Sequence, residues 1–216
     1  MTEYYIADDE LEGRLFDPAM SEAHRRVPKS ELVVYDPTKQ LSGLQMYSYA
    51  KRGIIPDRGH FVVYIDGACR DNGKSAARAS WGVYFGPGSR HNRCGLLRPD
   101  LPQTSSRAEI EALSQALDII HGIVSRDYSL QHIKIATDSE YLAKSMALWM
   151  EEWIENDGLN SKGRRVVHFE KLKEIYERLE ELTYGDDGGL EFLFWPIPRE
   201  ENREADRLAN EALDRA

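Results

Sequence analysis

Little in these 216 residues is set aside for cross-links, membranes or polyanions. Cysteine occurs only as Cys69 and Cys94, too few for a disulfide scaffold or a four-cysteine zinc site; both are expected to be small buried hydrophobes. Long apolar runs are also missing. The longest hold about five residues, as in Phe61 to Ile65, against the roughly twenty that a membrane helix needs. The opening MTEYYIADDELEGRLF has neither the basic start nor the apolar middle of a secretory signal, and its acidity argues against a transit peptide, so a cytoplasmic or nuclear location without membrane attachment is expected. Positive charge is in deficit, with 28 Lys and Arg against 37 Asp and Glu and a net charge of −9. That weighs against a general nucleic-acid binder, because affinity for phosphate comes mainly from Lys and Arg. An apolar share of 41% with 30% charged residues is ordinary for a globular protein and excludes a wholly disordered one.

Two regions differ in texture. Residues 1–60 carry 10 acidic and 8 basic residues, four prolines (Pro18, Pro28, Pro37, Pro56) and no sustained period, and read as an irregular extension, part of it packing on the main domain. Its one strand-like run, Leu32 to Tyr35, stops at the Asp36-Pro37 turn signal, and Leu41 to Ile55 shows no clear register. From Phe61 the runs FVVYID, ASWGVYFG and RCGLL predict three antiparallel strands. Helical spacing then links Glu109, Leu113, Ala116, Leu117, Ile120 and Val124. IKIATD predicts a strand ending at Asp138, followed by one helix carrying Leu142, Ser145, Met146, Trp149 and Trp153 on one side. A further helix (Leu172, Ile175, Tyr176, Leu179, Leu182), a last strand in LEFLFWPIP and a closing helix in EADRLANEAL complete an α/β chain without repeats. Strand, helix, strand implies a right-handed parallel crossover, so the sheet is mixed and helices cover both faces.

Four acids fall where burial is predicted: Asp66, Glu109, Asp138 and Asp206. If the strands of Asp66 and Asp138 pair in parallel, the two carboxylates meet at one edge, with Glu109 above them in the first turn of the crossover helix. Converging like charges raise one another's proton affinity and destabilise the fold unless cations neutralise them. Oxygen-only ligands indicate Mg²⁺, with Mn²⁺ as a substitute, rather than zinc. Two such ions about 3.5–4 Å apart suit an in-line phosphoryl displacement, so phosphodiester hydrolysis is the expected chemistry.

At these residues the chain resembles the type 1 ribonuclease H family. YIDGACRDNG, TSSRAEIEAL, IATDSEYL and ENREADRLANEA are similar to the family's four motifs in family order, over residues 61–216. The resemblance implies a ribonuclease H-like five-stranded mixed sheet in the order 3-2-1-4-5. It also implies an endonuclease that cleaves the RNA strand of an RNA–DNA hybrid, with Asp66, Glu109, Asp138 and Asp206 as catalytic metal ligands for two magnesium ions. Asn72, Ser105 and Glu140 stand where the family reads ribose 2′-hydroxyls. Thr104 stands at a phosphate contact, Trp149 and Trp153 beside the DNA-strand channel, and Asn202, in the last motif, at an expected substrate contact. Lys162, Arg164 and Arg165 resemble a reduced basic protrusion, a local positive patch on an acidic chain. A monomer is expected.

Departures and plainer readings stand beside this. The loop WPIPREENREAD lacks the His that relatives often carry, and no basic hybrid-binding module is recognisable in residues 1–60. A catalytically weak or inactive nucleic-acid-binding or interaction protein of the same fold is therefore the alternative; an exonuclease or integrase relative is disfavoured by the Asp206 motif within the last helix. Ser106-x-x-Glu109 is also a capping box, Asn202 a candidate helix cap, Asp66-Gly67 a common turn dipeptide, and the tryptophan stripe ordinary core. His168, behind the basic patch, reads as structural, and His91, His121 and His132 give no functional signal.

Overall fold

The computed structural model describes residues 13–185 and 189–215; the first twelve residues of the extension lie outside them. Residues 33–56 are not irregular. They form β1 (Val33–Asp36), β2 (Leu41–Ser48) and β3 (Gly53–Pro56), in which the first half of β2 pairs with β1 and the second half with β3, both antiparallel. Because β2 changes partner halfway, its buried positions do not alternate with a period of two, and that alternation is what a sequence reading looks for.

The main sheet follows the expected order. Strands β4 (His60–Arg70), β5 (Arg78–Tyr84) and β6 (Arg93–Leu96) form an antiparallel meander, while β7 (His132–Thr137) and β8 (Glu191–Pro196) extend it in parallel beyond β4. Across the sheet this reads β6-β5-β4-β7-β8, which is 3-2-1-4-5 for the five strands. Where β5 ends, Ser42 of β2 takes its place beside Val62, and its amide and hydroxyl both donate to the Phe85 carbonyl at 2.8 Å.

Helix α1 (Ser105–Val124) crosses between β6 and β7, and its buried side chains, Ile110, Leu113, Leu117 and Ile120 among them, pack on Val63, Ile65 and Ile135. The expected single helix after Asp138 is interrupted: α2 (Glu140–Lys144) widens into a π-turn at Ser145–Trp149 before α3 (Met150–Glu155). Helix α4 (Phe169–Tyr184) adds Leu172, Ile175 and Leu179 to the same core. On the opposite face lie α5 (Arg203–Asp214) and the extension, whose Phe16, Val27, Leu32 and Leu44 share a second apolar cluster with Val62, Ala136, Leu193 and Trp195. The extension thus supplies part of the core; Leu15 even bridges Phe194 in parallel. Cys69 and Cys94 are half-buried free thiols rather than fully buried ones.

Two glycines set how closely the helices approach. A Cβ at Gly67 would lie 2.3 Å from the Glu109 amide nitrogen, and one at Gly82 would lie 2.4 Å from the Ala205 carbonyl oxygen. Gly82 is the β5 partner of Asp66 and Gly67 the next residue of β4. Since successive residues of a strand face opposite sides, one glycine admits α1 and the other α5.

Candidate active site

Asp66 lies inside β4 rather than at its end, because the strand continues to Arg70. Carrying the parallel register of Tyr64 and Ala136 two residues further sets Asp66 level with Asp138, the first residue beyond β7. Glu109 comes from α1, just past its first turn, and Asp206 from the first turn of α5. The charges of Asp138, Asp206 and Glu109 all bear on Asp66. Burial pushes the Asp66 carboxyl up to about 7, helped by the charges of Asp138, Asp206 and Glu109 and opposed by the hydrogen bond from the Gly67 amide. Glu109 is raised as well, by burial and by Asp138, against the pull of a Ser139 hydrogen bond.

Each carboxylate has a holder. The Gly67 amide donates to Asp66 Oδ1 at 2.7 Å and the Ser139 hydroxyl to Glu109 Oε2 at 2.5 Å. Asn202 is buried, and its Nδ2 donates to Asp138 Oδ1 at 2.6 Å and to the Ile65 carbonyl at 2.9 Å. Its side chain does not cap α5 but is buried and turned to Asp138. Asp206 faces Arg199 Nη2 at 3.5 Å, in an open pocket also lined by Glu200 and Arg203. Four carboxylates, one of them raised in proton affinity by burial and by its neighbours' charge, are the oxygen donors that hard divalent cations take.

The remaining expected residues lie around this cluster. Thr104, not Ser106, caps α1, its Oγ1 accepting from the Arg107 amide at 3.2 Å; the capping-box reading of Glu109 fails, which leaves that carboxylate turned to Ser139. Asn72 donates to Ser105 at 3.3 Å, a paired polar rim. Glu140 is exposed and engaged with Lys144. Trp149 is half-buried and Trp153 buried, with ring centroids 5.6 Å apart. The π-turn groups them with the exposed Tyr141, 6.2 Å from Trp149, a ring that sequence periodicity did not single out. Lys162, Arg164 and Arg165 are exposed in the α3–α4 loop, where Asn160 Oδ1 accepts from the amides of Lys162 and Arg164 at 3.0 and 3.1 Å. The loop ends at His168, whose proton affinity is lowered by burial and by the Arg107 guanidinium, so the basic segment reaches the first turn of α1. Sequence reading missed Ser139 as a holder, seeing only a helix start, and Arg199, which no motif marked.

A meander flanked by parallel strands, with carboxylates gathered from two strands and two helices, defines a ribonuclease H-like fold. The sequence pattern of RNase H matches residues 58–214, and the chain belongs to the RNase H family. It is 35% identical over 154 residues to mouse ribonuclease H1, covering 69% of this chain and 49% of the relative, and 30% identical over 151 residues to ribonuclease H of Methylococcus capsulatus, covering 70% and 87%. The chain thus spans about half the length of the mammalian relatives. Among solved structures, LC11-RNase H1, isolated from compost by a metagenomic approach, superposes with a TM-score of 0.52 at 24% identity, over 71% of this chain and 95% of that one. The same protein has been solved in complex with an RNA/DNA hybrid.

Proposed function

We propose that this chain is a metal-dependent endonuclease that hydrolyses the RNA strand of RNA–DNA hybrids, with Asp66, Glu109, Asp138 and Asp206 as ligands for two Mg²⁺ ions, or Mn²⁺ in their place. The observation that carries it is the convergence of Glu109, Asp138 and Asp206 on the buried Asp66, whose proton affinity burial and their charges raise, an unfavourable arrangement that divalent cations relieve. Bound ions would supply Lewis acidity and neutralise charge at the attacking and leaving oxygens of an in-line displacement. The chain's own residues supply order. Ser139, Asn202 and the Gly67 amide hold three carboxylates in place before any ion arrives, and this preorganisation is what electrostatic catalysis requires. Asn72 and Ser105 are placed to read ribose hydroxyls, Thr104 to meet a phosphate, the Trp149 and Tyr141 rings to line the DNA-strand path, and Lys162, Arg164 and Arg165 to attract the backbone.

Catalysis is assigned to residues 61–216, with residues 1–60 as an N-terminal extension whose residues 13–60 brace against them, acting as a monomer in the cytoplasm or nucleus. Among the described residues no helix is long and apolar enough to cross a membrane. Labelled RNA–DNA hybrid, duplex RNA and duplex DNA incubated with Mg²⁺, Mn²⁺ or EDTA test the reading. Metal-dependent cuts are expected only in the RNA of the hybrid, and Asp138→Asn should abolish them with the fold intact. Hybrid binding without cleavage under every metal would instead favour the binding protein without turnover; cleavage that survives EDTA would sink the metal assignment.

A further inference from the structure

At the opposite end of the parallel strands lies a second cluster of ligand-type side chains. His60, His132 and Glu191 are the first residues of β4, β7 and β8 and stand in direct register, His60 beside His132 and His132 beside Glu191. Side chains in such a row share one face of the sheet on strands about 4.8 Å apart. Six residues of extended chain, about 20 Å, separate His60 from Asp66, so this row is no part of the carboxylate site. One ligand atom from each of the three residues lies within 4.8 Å of the others.

We propose that His60, His132 and Glu191 form a zinc site distinct from the catalytic cluster. Two imidazoles and one carboxylate are the donor set zinc takes with a water in fourth place, and nitrogen donors turn away the magnesium that an all-oxygen site selects. The surroundings are those of a built metal site. Asp57 Oδ1 meets His60 Nδ1 at 3.0 Å, Asp57 Oδ2 meets His24 Nε2 at 2.9 Å, and Ser21 Oγ meets His24 Nδ1 at 2.7 Å. A carboxylate on one ring nitrogen fixes a histidine's tautomer and presents the other nitrogen to a metal. Burial lowers the proton affinity of His60 against the pull of Asp57, with the charges of Lys134 and His132 adding to the lowering; the neutral imidazole is the form that coordinates.

Three features oppose the ion and set its terms, the first being that His132 Nδ1 already meets Glu191 Oε2 at 3.0 Å, a hydrogen bond that coordination must replace. Lys134 Nζ stands 3.4 Å from Glu191 Oε2, and Asp57 and Glu191 together carry the negative charge that offsets both the ammonium and part of a divalent cation. The His60 and His132 rings lie stacked, 4.3 Å apart at 13°, so coordination requires His132 to turn about its Cβ–Cγ bond, which its partial exposure allows. The consequence is mechanical: zinc would tie the lower rim of the sheet, through Asp57 and His24, to the extension.

Zinc titrated into the intact chain in millimolar Mg²⁺, against a chromophoric chelator, tests this. The parent and Asp138→Asn should each bind one equivalent of Zn²⁺, with a rise in melting temperature, whereas His132→Ala and Glu191→Gln should bind about tenfold more weakly or worse and lose that rise. Both substituted side chains are partly exposed, so their folds should survive; far-ultraviolet circular dichroism checks this before titration. Co²⁺ in the same protein should give the intense visible bands of a four-coordinate nitrogen and oxygen site. Equal zinc affinity in His132→Ala and the parent, or loss of binding in Asp138→Asn alone, would overturn the proposal.

Discussion

At the scale of single residues, the cluster works through side chains that touch the carboxylates rather than through the carboxylates alone. Asn202→Ala removes a donor shared by Asp138 and the Ile65 carbonyl and leaves that buried acceptor unsatisfied, so stability should fall by about 1–3 kcal/mol. Hydrogen bonding that pins Asp138 is lost as well, so the Mg²⁺ concentration giving half-maximal cleavage should rise; an unchanged metal requirement in a folded variant would show Asn202 to be structural only. Ser139→Ala removes both the α2 cap and the hydrogen bond to Glu109. It should destabilise the protein by about 1 kcal/mol and weaken its response to Mg²⁺, read from melting curves with and without the ion. The four acids were singled out in the sequence because motif and predicted burial agreed on each. Ser139 and Asn202 were not recognised as their holders, because Ser before a helix and Asn before a helix are ordinary capping residues, and only the fold shows that Asn202 turns its amide to Asp138.

Among the elements, the approach of α1 to β4 and of α5 to β5 decides whether carboxylates from different elements meet. A methyl group at Gly67 would strike the backbone at Ala108 and Glu109, whereas a Cβ at Gly122, also in α1, has nothing within 4 Å. Gly67→Ala should therefore displace the first turn of α1, lower the melting temperature and reduce cleavage, while Gly122→Ala should stabilise the helix by about 0.5–1 kcal/mol and leave cleavage unchanged. Thermal melts and initial rates on the same hybrid give the comparison. The five main strands and α1, α4 and α5 followed from periodicity and punctuation, and the order of the strands in the sheet from the family resemblance. The π-turn at Ser145–Trp149 did not, because the stripe Leu142, Met146, Trp149 and Trp153 keeps helical spacing through it. In the extension the strand-like run Leu32 to Tyr35 is β1, but β2 and β3 escaped notice: β3 is four residues with no fully buried position, and β2 serves two partners in turn.

For the whole molecule, the charge gathered at one edge links folding to pH and to metal. Asp66 holds a proton up to about pH 7 in the folded chain but releases it near its ordinary, lower value when unfolded. Between those values the folded state binds more protons, so stability in EDTA should fall as pH rises through that window. Saturating Mg²⁺ should flatten the fall or reverse it, because only the folded site gathers the ligands. Melting temperatures across pH 4–8 with EDTA or Mg²⁺ check this, and parallel curves would contradict a shared metal site. The extension belongs to the same cooperative unit. Phe16 is buried against Trp195 at a ring separation of 5.4 Å, and Lys29 pairs with Glu201 in the turn before α5. Phe16→Ala should cost about 3–5 kcal/mol and appear as one earlier melting transition rather than a separate low-temperature step.

The two glycines on adjoining rungs of β4 and β5 leave the sheet bare on both sides at its reactive edge, where a pair of hydrogens sets the gauge between two helices. A descendant of this chain could keep all four acids and still lose its chemistry by gaining one methyl group there. In judging whether a distant relative is active, these two positions therefore merit inspection alongside the acids themselves.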